Sequence, residues 1–286
     1  AEMRLDLLFF LFSTGLPFSA VSCLFTVNGH VFSPSSIERW FDNTLDQLEV
    51  WADRQIYLLS PEEWLADSEK IQNGVDFMKY RESLLYFVDG SVIEIQDSSC
   101  PLASQAIRNG KHGIPAYVFF VVVSPRGRIV YLSQTIQGGA IHDKTHFNQD
   151  GILDLLREKY PSHLVSVNGQ EYQLELCGDK AYPFANKPKK GWQWRVTKTG
   201  EDIKDVDANG IEVGPTAKKA NLEDVIFDAS VARLRAVVER SICHLKSWAI
   251  FQNHVICSKK NRIKKMLKLA AGLVNFFLHI SKIKQL

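Results

Sequence analysis

Leu84-Leu85-Tyr86-Phe87-Val88-Asp89-Gly90-Ser91-Val92-Ile93-Glu94-Ile95 decides how this chain is read. An apolar run delivers one aspartate, and glycine follows it at once. A second β-forming run comes next, through Val92, Ile93 and Ile95. Asp-Gly between two hydrophobic runs is a strong hairpin signal. The sharper reading is a carboxylate held at the end of a buried strand, where it would bind a metal ion. The carboxylates further along the chain bear on that choice.

Downstream, Ala116 to Ser124 has a buried-strand composition, and Pro125-Arg126-Gly127 turns the chain into a second β-rich run, Arg128 to Ile136. Two such runs around a tight turn predict an antiparallel pair. Gly138-Gly139-Ala140-Ile141-His142-Asp143 ends the sheet signal, and one helix is expected from there to about Tyr160. Leu174 to Gly178 reads as a short strand that delivers Asp179. Residues 183–220, rich in Lys, Gly, Pro and Asp, read as an irregular insertion. Glu239 falls in a long helical pattern from Asn221 to Ile250. Ile263 to Ile283 reads as a final basic amphipathic helix.

Upstream of the strands the pattern is helical. Short helices are expected over residues 4–12 and from Pro17 to about Phe25, with a loop from Thr26 to His30. A long helix begins near Ser33-Pro34-Ser35-Ser36, where Ser35-x-x-Glu38 forms a capping box. Ser60-Pro61-Glu62-Glu63 opens another helix. The first 80 residues are compatible with a helix-turn-helix, on which Ser36, Arg39 and Asn43 would face bases or phosphates. A helical cap over a neighbouring core explains the same spacing. The domain reading is therefore a helical region over 1–80 and an α/β body over 81–286, with a mixed sheet flanked by helices.

Composition bounds the function. At 286 residues with 45% hydrophobic side chains, the chain has room for one large domain, or for two of which one is small. Five scattered cysteines without a Cys-x-x-Cys pair argue against a disulfide framework or a zinc knuckle, and favour a reducing compartment. The apolar start, Leu7 to Ser22, could pass for a signal peptide, but Asp6 and Gly15-Leu16-Pro17 interrupt it. A chain that is not secreted is expected. No run is long enough for a membrane span. The net charge of +2 is unevenly placed: beyond Glu239 there are ten Lys and Arg and no acid, which leaves −8 on residues 1–239. A basic end of this kind is expected to meet a polyanion; a solvated basic helix is the blander alternative.

Asp89, Asp179 and Glu239 are the carboxylates that separate elements could bring together. Phosphoryl transfer between nucleic-acid strands needs an attacking oxygen activated and a leaving oxygen stabilised. Two divalent cations about 4 Å apart do both. Magnesium takes hard oxygen ligands and uses few carboxylates, so no histidine or cysteine set is required. Taken singly, Asp89 and Asp179 are also good turn residues, and Glu239 can pair with Arg235 one helical turn away.

The ordered blocks resemble the catalytic domain of Harbinger-type DDE transposases and related bacterial insertion-sequence transposases. Val88-Asp89-Gly90-Ser91 resembles the first acid's block, and Gly138 to Asp143 the glycine-rich block ending in His-Asp. Gly178-Asp179-Lys180-Ala181-Tyr182-Pro183 is similar to the second acid's block. Arg233 through Glu239-Arg240, then Leu245-Lys246, resembles the third, and Ala270 to Asn275 the closing helix. The match covers roughly residues 80–278.

The resemblance implies an RNase H-like fold in which Asp89, Asp179 and Glu239 are catalytic residues and ligands of Mg²⁺ or Mn²⁺. Gly90 would reverse the chain while Asp89 faces the metal. His142 and Asp143 would support the site, although Asp143 is also a good helix cap. Arg233, Arg240, Lys246, Lys259, Lys260, Arg262, Lys264 and Lys265 would contact DNA phosphates. The function implied is DNA cleavage and strand transfer; a non-catalytic DNA-binding protein on the same scaffold is the alternative. A homo-oligomer stays open and no membrane partner is expected. The run Lys259 to Lys265 would serve as a nuclear address in a eukaryote; a bacterial protein would work in the cytoplasm or nucleoid.

Overall fold

The computed structural model describes residues 2–24, 26–27, 30–68, 83–96, 107–109, 113–139, 141, 143–160, 164–178, 193–196, 205–206, 212–213, 236–252 and 259–283. Its frame is a seven-stranded mixed sheet with helices against it. The main strands are β3 (Ser83–Glu94), β4 (Ala116–Val123), β5 (Ile129–Leu132), β7 (Leu164–Val167) and β8 (Gln170–Gly178), in the order β5-β4-β3-β8-β7. Two shorter strands complete it: β6 (Gln137–Gly138) on β4 and β9 (Gln193–Val196) on β8. β3 is antiparallel to β4 and parallel to β8, so the antiparallel half of the sheet meets its parallel half at β3. This is the mixed sheet flanked by helices that the RNase H-like expectation called for.

The central strand corrects one expectation. Asp89 and Gly90 do not form a hairpin; β3 runs straight through them. Phe87 to Glu94 pair in unbroken register with Val123 to Ala116 of β4. The turn propensity of two residues is overridden by a ladder that extends on both sides of them. Among the described residues, Asn168-Gly169 is an Asn-Gly signal that does make a hairpin, between β7 and β8. Both residues have positive φ, 52° and 81°, as a type I′ turn demands. β8 consequently begins four residues before the strand expected at Leu174.

Other boundaries differ for local reasons. The expected helix to Tyr160 is two, Asp143–Gln149 and Ile152–Lys159 (α5 and α6), because Asp150 leaves the helical path for other partners. The expected irregular insertion contributes β9, which pairs parallel to β8, and a small pair, β10 (Asp205–Val206) with β11 (Glu212–Val213). The expected loop after residue 25 contains the short pair β1 (Thr26–Val27) and β2 (His30–Val31).

The helices before the sheet are α1 (Glu2–Thr14), α2 (Phe18–Leu24), α3 (Pro34–Gln55) and α4 (Pro61–Ser68). The cap of α3 is Ser33 rather than Ser35. Its side chain accepts from the Ser36 amide at 3.2 Å, with Pro34 in the first turn. Glu38, freed from a capping box, turns elsewhere. The capping box is instead at α4, where Ser60 N donates to Glu63 at 2.8 Å and Glu63 N donates to the Ser60 hydroxyl at 3.2 Å. Leu7, Leu8, Leu11 and Phe12 of α1 are buried beside Phe41 and Leu45 of α3, in a core continuous with Phe87, Val121 and Ile129 of the sheet. The last helices are 236–246 (α7) and Lys260–Ile283 (α8). Among the described residues no helix is long and apolar enough to cross a membrane.

Candidate active site

Asp89 sits where the two halves of the sheet meet. Alternation along β3 puts it on the face of Phe87 and Ile93, both fully buried, with Val121 of β4 directly across. The carboxylate is half-buried and shares this face with half-buried Ser91 as well as with those apolar side chains. Its Oδ1 accepts from the Gly90 amide at 2.9 Å. The described pairing with β8 ends at Phe87 and Cys177. β8 ends at Gly178, the residue before Asp179; Asp179 itself lies outside the described residues.

Glu239 rides on α7. Val237, Val238, Ser241 and Leu245 of that helix are buried, whereas Glu239, Arg240 and Cys243 are exposed. The buried face is clipped to the turn between β4 and β5. The Ser241 hydroxyl donates to Gly127 O at 2.8 Å. Gly127 has φ 90°, and a Cβ there would stand 3.0 Å from Ser241 Oγ. Only glycine allows both the backbone conformation and this approach. The turn thus ties the helix of Glu239 to the strand that pairs with Asp89.

The remaining expected residues divide. Arg233 and His142 lie outside the described residues, as does the side chain of Asp143, the first residue of α5. Arg240, Lys259 and Lys260 are exposed, and Lys246 and Lys264 half-buried. Arg262 and Lys265 depart from the expectation of phosphate contact. Arg262 is 7% exposed, with Nη2 at 2.5 Å from both Glu38 and Asp42. Lys265 meets Asp46 and Glu49. Lys268 meets Glu49 at 3.1 Å and Asp53 at 2.8 Å. Even exposed Lys259 stands 3.4 Å from Glu38. The polyanion met by this stripe is α3 of the same chain.

A family model described as DDE superfamily endonuclease matches residues 88–275, about two thirds of the chain. The chain belongs to the DDE superfamily endonucleases. The match opens at Val88, beside Asp89, and spans Asp179 and Glu239. A solved structure, the Mos1 transposase paired-end complex with left transposon end, is similar at 12% identity and a TM-score of 0.26, over 84% of this chain and 96% of that one. No curated protein matches.

For a DDE endonuclease the chemistry of the donors is decisive. Asp89 and Glu239 offer carboxylate oxygen, the hard ligand that Mg²⁺ and Mn²⁺ take, and this donor set fits such an ion. Among the described residues there is no group of three or more His, Cys, Asp or Glu that could hold a metal, and Asp179 is outside that set. Sequence reasoning missed Ser241 and Gly127, which anchor the endonuclease's Glu239 helix. Ser241 carries no motif, and only the distance between it and the turn reveals the role.

Proposed function

We propose that the chain is a metal-dependent DNA endonuclease and strand-transfer protein, in which Asp89, Asp179 and Glu239 hold Mg²⁺ or Mn²⁺. The observation that carries this reading is the half-buried Asp89 on the central strand of the sheet, at the point where the family match begins. When bound, the cations would supply Lewis-acid stabilisation of an in-line phosphoryl displacement. The chain's own part is positional. β3 pairs with β8 over Ser83 to Phe87 and with β4 over Phe87 to Glu94, so the Asp89 backbone is held in register against Val121. α7 carries Glu239 on its exposed side, accessible to a bound strand. His142 and Asp143 would support the site. Arg233, Arg240, Lys246, Lys259, Lys260 and Lys264 would contact phosphates, and in a eukaryote the protein would work in the nucleus.

The test is nicking of supercoiled plasmid in Mg²⁺ and in EDTA, beside Asp89→Asn and Glu239→Gln. Cleavage should need the metal and fall by roughly a hundredfold or more in each variant, the scale of losing one electrostatic stabiliser. Cutting that persists in EDTA or survives both substitutions would refute the reading. Tight binding without cutting under Mg²⁺ or Mn²⁺ would make the chain a DNA-binding derivative of the family.

A further inference from the structure

The β4–β5 turn that anchors α7 has a second use. Arg126 and Arg128, on either side of Gly127, line a cavity with Asp67, Asn275, Leu278 and His279. The cavity is small and open on one side: about 260 Å³ of space lies within it and its mouth together, solvent included. Arg126 Nη1 and Arg128 Nε are both shut away from solvent and have no hydrogen-bond partner. A buried donor left unmade is costly, and more so on a charged group. Two of them on neighbouring guanidinium groups call for an acceptor.

The lining supplies a single carboxylate. Asp67 is 4% exposed and accepts the Ser124 hydroxyl. Asn275 is fully engaged: its Oδ1 accepts from Ile129 N at 2.9 Å, and its Nδ2 donates to Gln55 O and Ile129 O, each at 2.8 Å. The Arg128 guanidinium lies 4.4 Å from the centre of the Tyr57 ring, which fixes its plane. Two cations therefore face one carboxylate, with exposed His279 at the rim.

The geometry points to an oxyanion site in which Arg126 and Arg128 donate to the oxygens of a phosphate group. A guanidinium presents several donors in a fixed plane, and a phosphate presents several acceptors to more than one such fork. The phosphate could belong to a nucleic-acid backbone or be free in solution; the recognition chemistry is the same. In either case the anion is held on the turn that bonds to the Glu239 helix. No metal is involved, so the site can be tested without the cleavage reaction.

The full chain is titrated calorimetrically with inorganic phosphate in EDTA at low ionic strength, beside Arg126→Gln and Arg128→Lys. Saturable binding is expected, weakened about tenfold by each change, the scale of one charge-assisted hydrogen bond. Arg128→Lys keeps the charge and removes the fork, so a loss there reports geometry rather than net charge. Circular dichroism and melting without phosphate identify any variant that fails to fold; the proposal is then decided on the other one. A second arm measures anisotropy on short duplex DNA. A backbone phosphate predicts that Arg126→Gln lowers the salt slope by about one and that free phosphate competes with the duplex. A free phosphate predicts unchanged duplex binding with phosphate binding lost. No saturable phosphate binding by the wild type together with an unchanged duplex salt slope, or binding indifferent to both substitutions, would overturn the site.

Discussion

Asp150 carries four hydrogen bonds on one carboxylate. Its Oδ2 accepts from the Tyr131 hydroxyl at 2.6 Å and from Gln134 N at 2.8 Å; its Oδ1 accepts from Thr135 N and the Thr135 hydroxyl, each at 2.7 Å. At 8% exposure it closes α5 and shapes the chain leaving β5. Burial, and then the bond to Asp150, push the Tyr131 phenol far above its ordinary range. Asp150→Ala would leave two backbone amides and a phenol without this partner. We expect a loss of about 2–4 kcal/mol, read by calorimetry as a fall in Tm of roughly 5–10 °C. The sequence shows none of this, because Asp150 lies 15 to 19 residues from its partners in a stretch that reads as one helix. Asp89 is the opposite case. Its place at the opening of the family match was legible in the order of the blocks, but its setting was misread, because a two-residue turn signal says nothing of the eight-residue register that β4 imposes.

At the scale of elements, the contact between α3 and α8 was half legible. Each helix shows its charged stripe in sequence: Glu38, Asp42, Asp46, Glu49 and Asp53 on one, Lys259, Arg262, Lys265 and Lys268 along the other. Nothing local says that the stripes face each other, since their members are about 220 positions apart. The crossing is close. A Cβ on Gly272 would stand 3.1 Å from Trp51 Cζ3 and 3.2 Å from Ala52 Cα. Gly272→Leu should wedge the helices apart at a cost of about 1–3 kcal/mol, seen as a lower urea midpoint with an unchanged slope. Exposed ion pairs contribute little each, so the stabilising share of the ladder falls on buried Arg262. Arg262→Gln is expected to lower stability by about 1–2 kcal/mol, because the partly exposed Glu38 and Asp42 lose their counter-charge but stay hydrated. The bond from Arg262 holds the Glu38 carboxyl below its ordinary 4.5, despite its partial burial. A lowered carboxyl pKa stabilises the folded state at neutral pH, and that stability is lost as pH falls through the folded value. The bond that Lys265 donates to Asp46 raises the Lys265 pKa above 10.5, so its contribution is full below that value and lost as pH rises past the raised one. Melting curves should therefore show wild type and Arg262→Gln converging as pH drops below about 4.5. A gap that persists undiminished in acid would exclude the carboxylate pairing as its source.

At the scale of the molecule, the sequence asymmetry of charge is real but partly internal. The antiparallel β4–β5 pair and the mixed α/β class were readable because apolar runs, turns and helical spacing are local signals. The closure of the basic tail on the acidic helix was not, because it depends on the α1–α3 helices sharing a core with α8. That closure changes how DNA binding should be tested. Deleting the tail would remove Ile263, Met266, Leu267, Ala270 and Ala271 from the core, so lost binding would report unfolding. Charge substitution separates the two roles. Lys260 is exposed and Lys264 half-buried, and neither belongs to the ladder. Lys260→Gln combined with Lys264→Gln should leave Tm unchanged and reduce the slope of log affinity against log salt by about 1.8, the release expected for two phosphate contacts. Arg262→Gln should do the reverse, lowering Tm while the slope of the folded protein stays at the wild-type value. Fluorescence anisotropy on duplex DNA across a series of salt concentrations measures both. A slope that responds to Arg262 and ignores Lys260 and Lys264 would show that the ladder opens when DNA binds. The acidic stripe of α3 would then be a competitor for the phosphates rather than a permanent partner of α8.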